Sequence, residues 1–253
     1  MKKVLITGAS GGIGLETARQ LAAQGYRLTL VARNEDKLNK AVKSLNGIGH
    51  TVLAADLTNK EELQKVINNL KTEKYDILIN NAGSGIYGKF IDIPLDEQLA
   101  GMHLNMDALV TLSYGFLQNA ISGDALVNIG SVLAHSSLPG GSVYAATKSF
   151  VANFSESLWY EFKQKGVFVM GFNPGAAASD FHANAGGHTS DFPKFVMSSV
   201  EDVAEELVKA LEKRRKPRVV QGWKNRFMLF GFKLLNRKSA VNIMGQLSPG
   251  MKN

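Results

Sequence analysis

The chain has 253 residues, 45% of them hydrophobic and 20% charged, so it can bury a full core and has the composition of a globular domain, not of a disordered or fibrous chain. It contains no cysteine, which excludes disulfides, thiolate nucleophiles and cysteine-bound metal centres and favours a cytoplasmic setting. The net charge of +7 is gathered at one end: from Lys209 onward there are 12 Lys/Arg against a single acid, Glu212, and the preceding part carries about −4. A nucleic-acid-binding fold would spread its cations over one face, so no nucleic-acid partner is expected.

Two lysines at the N-terminus precede an apolar run that breaks after Val4, Leu5 and Ile6, which reads as a first strand and not as a secretion signal. No stretch approaches the roughly 20 apolar residues that span a bilayer. Further along, short β-branched runs alternate with longer helical patterns. Strands are expected at Val4–Thr7, Leu28–Val31, Thr51–Ala54, Ile77–Asn80, Ala125–Ile129, Val167–Phe172 and Arg218–Gln221. Helical crossovers between parallel strands then give an α/β fold, a doubly wound (Rossmann-type) seven-stranded parallel sheet with helices on both faces. Helix ends are legible too: Gly25 follows Leu15–Gln24 where a C-terminal glycine is expected, and Thr58 precedes Glu61 at capping-box spacing. There is no internal repeat and no long Pro/Gly-rich linker. The expected organisation is a dinucleotide-binding catalytic unit over residues 1–222, with a lid near 176–198, followed by a basic, apolar extension over 223–253.

Directly after the first strand comes Thr7-Gly8-Ala9-Ser10-Gly11-Gly12-Ile13-Gly14, and a helix follows. Glycines there let backbone approach a pyrophosphate, whose charge the helix N-terminus stabilises. The spacing Gly8, Gly12, Gly14 resembles the loop of the short-chain dehydrogenase/reductase family. Other motifs of that family recur in order: Asp56-Leu57, Asn80-Asn81-Ala82-Gly83, Asn105, Ser131, Tyr144-Ala145-Ala146-Thr147-Lys148, and Pro174-Gly175. Tyr144 is the only tyrosine with a lysine four residues on, and Ser131 precedes it at the family's usual spacing. The resemblance covers about residues 1 to 220.

It implies a catalytic set of Asn105, Ser131, Tyr144 and Lys148. Tyr144 would exchange the proton, Ser131 would hydrogen-bond the substrate oxygen, and Lys148, one helical turn beyond Tyr144, would hold the nicotinamide ribose and favour tyrosinate. Asn105 would bend its helix and hold a water that connects the lysine to solvent. The cofactor would be held by Gly8, Ser10, Gly11, Gly12, Ile13, Gly14, Arg33, Asp56, Leu57, Asn81, Ala82, Gly83, Tyr144, Lys148, Pro174, Gly175 and Ser179, with Asp56 at the adenine edge. At the end of the second strand an acid would select NAD; here Ala32 is followed by Arg33, suited to a 2′-phosphate. NADP(H) is therefore expected to be preferred, with NAD(H) as the second candidate. After Pro174-Gly175 the chain departs from the family, with Ala177 and Ser179 where valine and threonine are usual.

Substrate signals are sparser. Leu133, Leu138 and Val143 flank the serine and tyrosine, and Phe181, Phe192 and Phe195 surround Gly186-Gly187, as in a lid over an apolar pocket, although such aromatics serve equally well as core. His182 and His188, with Asp180 and Asp191, match no ligand spacing, so no metal is expected. In the extension, Trp223, Phe227, Phe230 and Leu234 fall on one helical face among Lys and Arg. Packing against the body or another subunit is the favoured reading, with weak, salt-sensitive contact with a membrane surface in addition. Homo-oligomerisation is implied by the resemblance alone. The function expected is interconversion of a small, apolar carbonyl and its secondary alcohol. A noncatalytic nucleotide-binding regulator and an adaptor acting through the basic tail are the alternatives.

Overall fold

In the computed structural model, which describes residues 1–179, 181–186 and 197–251, seven strands form one wholly parallel sheet. They are β1 (Lys3–Thr7), β2 (Arg27–Ala32), β3 (Thr51–Ala54), β4 (Ile77–Asn80), β5 (Ala125–Ile129), β6 (Phe168–Asn173) and β7 (Arg218–Val220), in the order β3-β2-β1-β4-β5-β6-β7. The central strands are continuous apolar runs because helices cover both of their faces. Val4, Leu5, Ile6, Ile77, Leu78 and Ile79 are fully buried. Ile6 pairs with Leu30 on one side and Ile79 on the other, which fixes β1 at the centre.

The helices are α1 (Gly12–Ala23), α2 (Glu35–Lys43), α3 (Lys60–Thr72), α4 (Leu95–Met102), α5 (Leu109–Asn119), α6 (Ser142–Phe162), the single turn α7 (Phe181–Asn184), α8 (Val200–Lys213), α9 (Trp223–Leu234) and α10 (Arg237–Leu247). Among the described residues none is long and apolar enough to cross a membrane. Helices α1 and α8 pack together over one face, where Ala18, Leu21, Val203 and Leu207 join Val4, Ile6 and Phe172 in the core. On the other face Val66, Leu70, Leu112 and Phe116 close over Leu5, Leu78 and Leu126. Each such leucine or valine contributes about 1.5–3 kcal/mol when fully buried.

Helix α1 ends as the sequence suggests, with Gly25 at φ 84° just beyond it. The start of α3 does not. Its cap is Asn59, whose Oδ1 accepts from the amides of Glu61 at 2.9 Å and Glu62 at 3.1 Å, while Thr58 donates through both its amide and its hydroxyl to Asp56 Oδ1. Asparagine is as good a cap as threonine, and Asp56 draws Thr58 into a turn of its own. Strand order reverses between β1 and β4, so the loops at their C-terminal ends diverge and leave a crevice, the usual ligand position in such sheets.

Candidate active site

The crevice is a cleft of about 430 Å³, floored by the β1–α1 loop at one end and walled by α6, α9 and α10 at the other. At the first end, Thr7 Oγ1 accepts from the amides of Asn81 and Ala82, both at 3.0 Å, and Asn81 Nδ2 donates to the carbonyls of Thr7 at 2.9 Å and Gly8 at 3.1 Å. The two loops are thereby locked together. Gly8 has φ 65°, and a Cβ there would sit 2.8 Å from Ala82 Cα. A Cβ on Gly14 would lie 2.5 Å from both Asn81 Nδ2 and the Gly8 carbonyl oxygen. These two glycines serve close packing of loop on loop.

Gly11 is different: it caps α1 without any side-chain bond, and a Cβ built on it meets nothing within 4 Å. The first amides of α1 thus face open space beside a positive helix end, a geometry that suits phosphate. Ser10, Gly12, Ile13, Ala82 and Gly83 line the cleft beside it. Gly14, Arg33, Asp56 and Leu57 do not. Arg33 is exposed just outside, and Lys37, which the sequence reading did not single out, lines the cleft on the first turn of α2. Burial pulls the Asp56 carboxyl upward, but the Thr58 hydroxyl and amide and the Arg33 charge outweigh it and hold the group below its ordinary range.

At the other end, Ser131 follows β5, and its Oγ accepts from the Leu133 amide at 3.1 Å. Tyr144 and Lys148 occupy successive turns of α6, both buried and both lining the cleft. Both Tyr144 and Ser131 line the same cleft. Burial, and to a smaller degree Tyr87, push the Tyr144 phenol well above its ordinary range, against the downward pull of Ser131. Lys148 Nζ donates to the Ile129 carbonyl at 3.0 Å and lies 5.8 Å from the Tyr144 ring centroid, and its own burial lowers it to about 8. The expected acidification of Tyr144 by Lys148 is therefore not what dominates here, because desolvation works against charge on both groups.

Asn105 lies behind this pair, not on the cleft, in a π-helical turn (His103–Ala108) between α4 and α5. Its Oδ1 accepts from the Ser84 amide at 2.9 Å, and its Nδ2 donates to the Ser84 carbonyl at 2.9 Å and Thr147 Oγ1 at 3.1 Å. Gly83 separates it from the lysine, since a Cβ there would be 3.0 Å from Asn105 Oδ1 and 3.3 Å from Lys148 Nζ.

Pro174, Gly175 and Ser179 border the cleft after β6. Of the lid region, Phe181 rests against the Tyr144 ring at 5.8 Å, and Ala185 accepts through its carbonyl from the Tyr87 amide at 2.9 Å. Asp180, Gly187, His188, Asp191, Phe192 and Phe195 lie outside the described residues, as does the side chain of His182. Several wall residues escaped the sequence reading. Tyr87 stands edge-on to Tyr144 with centroids 6.3 Å apart, and Met228, Met244 and Leu247 come from α9 and α10. An aromatic in the irregular stretch after Gly83 was the available signal for Tyr87; helical phase alone does not tell which methionines meet a cleft.

The extension divides into two sides: one packs on the body, as the favoured reading has it, and the other is exposed on the single chain. Trp223, Phe227, Phe230 and Leu234 are 60–73% exposed, and it is the other side of α9, with Asn225 and Met228, that meets the cleft.

A doubly wound parallel sheet, a glycine cradle at a helix N-terminus and a serine–tyrosine–lysine cluster in the same crevice define a dinucleotide-dependent oxidoreductase. A family model described as short chain dehydrogenase matches residues 2–189. The NADP-dependent 3-hydroxy acid dehydrogenase of Schizosaccharomyces pombe is 31% identical over 228 residues, 84% of this chain and 88% of the relative. Serine 3-dehydrogenase of Rhizobium radiobacter is 31% identical over 182 residues, 70% of this chain and 73% of the relative. A solved short-chain dehydrogenase from Sphingobium yanoikuyae in complex with NADPH superposes with a TM-score of 0.80 at 31% identity, covering 87% of each chain. The chain belongs to the short-chain dehydrogenase family.

Proposed function

We propose that the protein is an NADP(H)-dependent oxidoreductase that interconverts a small, apolar carbonyl compound and its secondary alcohol, with Tyr144 as acid/base. The observation that carries this reading is the joining, in one cleft, of an uncapped α1 N-terminus and the Ser131–Tyr144–Lys148 cluster. The cradle fits a dinucleotide, because open space above Gly11 at a helix N-terminus without a side-chain cap is what a pyrophosphate requires. Ser10, Arg33 and Lys37 form the cationic and hydroxyl side that a 2′-phosphate would meet, consistent with relatives that are named for NADP or were solved with NADPH. When bound, the reduced nicotinamide supplies a hydride.

The chain's own residues do the rest. Ser131 donates a hydrogen bond to the carbonyl oxygen, and Tyr144, kept neutral by burial, gives it a proton; the reverse transfer serves alcohol oxidation. Lys148 would hold the ribose hydroxyls of the cofactor and Ser179 would offer its hydroxyl to the carboxamide, while Asn105 braces the wall behind the lysine through Ser84 and Thr147. Leu138, Tyr87, Phe181, Met228 and Met244 make the substrate end apolar. Among the described residues the only charged groups on the cleft are Lys37 and Lys148, both assigned to the cofactor, so the apolar substrate end keeps no cation to pair the carboxylate of the hydroxy acids for which the 31%-identical relatives are named, and a neutral substrate fits it better.

Residues 1–222 form the catalytic unit, with a lid near 176–198, and 223–253 act as a cap whose outward row touches lipid weakly or packs on another subunit of a homo-oligomer in the cytoplasm. The test is NADPH consumption against aliphatic, aromatic and acyl-thioester carbonyls. Turnover of apolar ketones is expected; tight NADPH binding without consumption on any of them would favour a noncatalytic regulator.

A further inference from the structure

A second cavity, of about 600 Å³, lies between α9, α10 and the turn after Ser131, and the proposed reaction does not use it. Its wall is divided. Leu229, Phe230, Phe232, Val241 and Met244 make one part apolar, whereas Arg218, Arg226, Lys233 and Arg237 bring four cations to the other. Two of these are neutralised: Arg218 is paired with Glu156 and Arg226 with Glu206. Among the described residues Lys233 and Arg237 have no acidic partner, and Arg237 only donates to Ser137 Oγ at 3.0 Å.

His135 adds an independent sign. Its Nδ1 lies 3.4 Å from Arg218 Nη1, and a guanidinium can only donate, so Nδ1 accepts and the ring proton sits on Nε2. That Nε2 and the Arg218 Nε are both buried without a hydrogen-bond partner. The two buried N–H donors add to the positive polarity of this wall, and beside two unneutralised cations they favour a negatively charged oxygen in the cavity. Burial and the charges of Arg218 and Lys233 also hold the imidazole below its ordinary range, which reports the positive field that an anion would relieve.

We propose that this cavity binds an amphiphile, its carboxylate or phosphate head among His135, Lys233 and Arg237 and its hydrocarbon part along the apolar wall. The site is separate from the cofactor cradle and meets the catalytic cleft through Met244, which lines both. The ligand is either a free amphiphile or a lipid presented by a bilayer, since both carry the same head chemistry and Phe230 of the exposed α9 row lines the cavity.

The inference does not depend on the substrate of the reaction. Calorimetric titration of the full chain with monomeric laurate is expected to show binding that dodecanol and acetate do not match, because each lacks one half of the required chemistry. Lys233→Gln/Arg237→Gln should weaken laurate at least tenfold while melting temperature and NADPH binding stay unchanged. Vesicles of phosphatidylglycerol, but not phosphatidylcholine, displace laurate if a bilayer is the source; no displacement by either identifies a free amphiphile. No laurate binding up to its solubility limit, equal affinity for dodecanol, or undiminished laurate affinity in the double variant would overturn the proposal.

Discussion

Lys148 shows how a single residue sets both chemistry and its cost. Burial lowers it from the ordinary 10.5 to about 8, so the ammonium is present below pH 8 and lost above it. If that charge holds the ribose, kcat/KM for NADPH should fall as pH rises through about 8, and Lys148→Arg, always charged, should flatten the fall; a pH profile parallel to wild type would contradict this. The stability sign is the opposite. Between about 8 and the unfolded value the unfolded chain binds more protons, so the folded state gains stability as pH rises, and below pH 8 the full penalty of the buried charge is present. Lys148→Met should therefore raise the melting temperature of the cofactor-free protein at pH 7 while removing activity, and differential scanning calorimetry showing a lower value would refute it. Arg33 offers a second test at this scale: Ala32→Asp/Arg33→Ala should weaken NADPH binding at least tenfold with little effect on NADH. Unchanged NADPH affinity would shift the 2′-phosphate assignment to Ser10 and Lys37.

At the scale of elements, what was legible follows from local rules. Strand cores such as Ile77–Asn80 and Ala125–Ile129 are readable because parallel strands buried on both faces are largely apolar, and Gly25 because a residue at φ 84° favours glycine. The capping-box spacing puts the start of α3 one residue early, since Thr58 and Asn59 are equivalent caps and only the local turn by which Asp56 engages Thr58 separates them. Tyr144 and Lys148 were legible because chemistry fixes their spacing within one helix. Tyr87, Met228 and Met244 were not, because three separate segments converge there and no spacing within any one of them records the meeting. The α1 loop lends itself to a direct test. Gly14→Ala places a Cβ 2.5 Å from Asn81 Nδ2 and the Gly8 carbonyl, so loop and strand ends must part. Overpacking of this kind costs about 1–3 kcal/mol. A lowered denaturation midpoint together with weaker NADPH binding is expected; Gly11→Ala should weaken NADPH alone, because nothing in the chain lies within 4 Å of its Cβ.

On the scale of the whole molecule, strand reversal between β1 and β4 opens the crevice, β5 and α6 supply the proton-handling group, and α9 and α10 close the far wall. The charge asymmetry seen in the sequence acquires a location: the cations of the extension flank the exposed row Trp223, Phe227, Phe230 and Leu234, opposite the side that meets the cleft. Deleting residues after Gln221 should thus do two things at once, abolish salt-sensitive sedimentation with anionic liposomes and raise KM for apolar ketones by losing Met228, Met244 and Leu247 from the wall; an unchanged KM would show that the wall is not used. The central claim, that one cleft binds NADPH and passes a proton through Tyr144, is tested most directly by Tyr144→Phe, which keeps the ring packed against Tyr87 and Phe181 and deletes only the hydroxyl. NADPH affinity measured by fluorescence and single-turnover reduction of an accepted ketone should be compared with wild type. The prediction is near-unchanged affinity with a rate lowered by about 10²- to 10⁴-fold. A variant that keeps more than about a tenth of the wild-type single-turnover rate would contradict it.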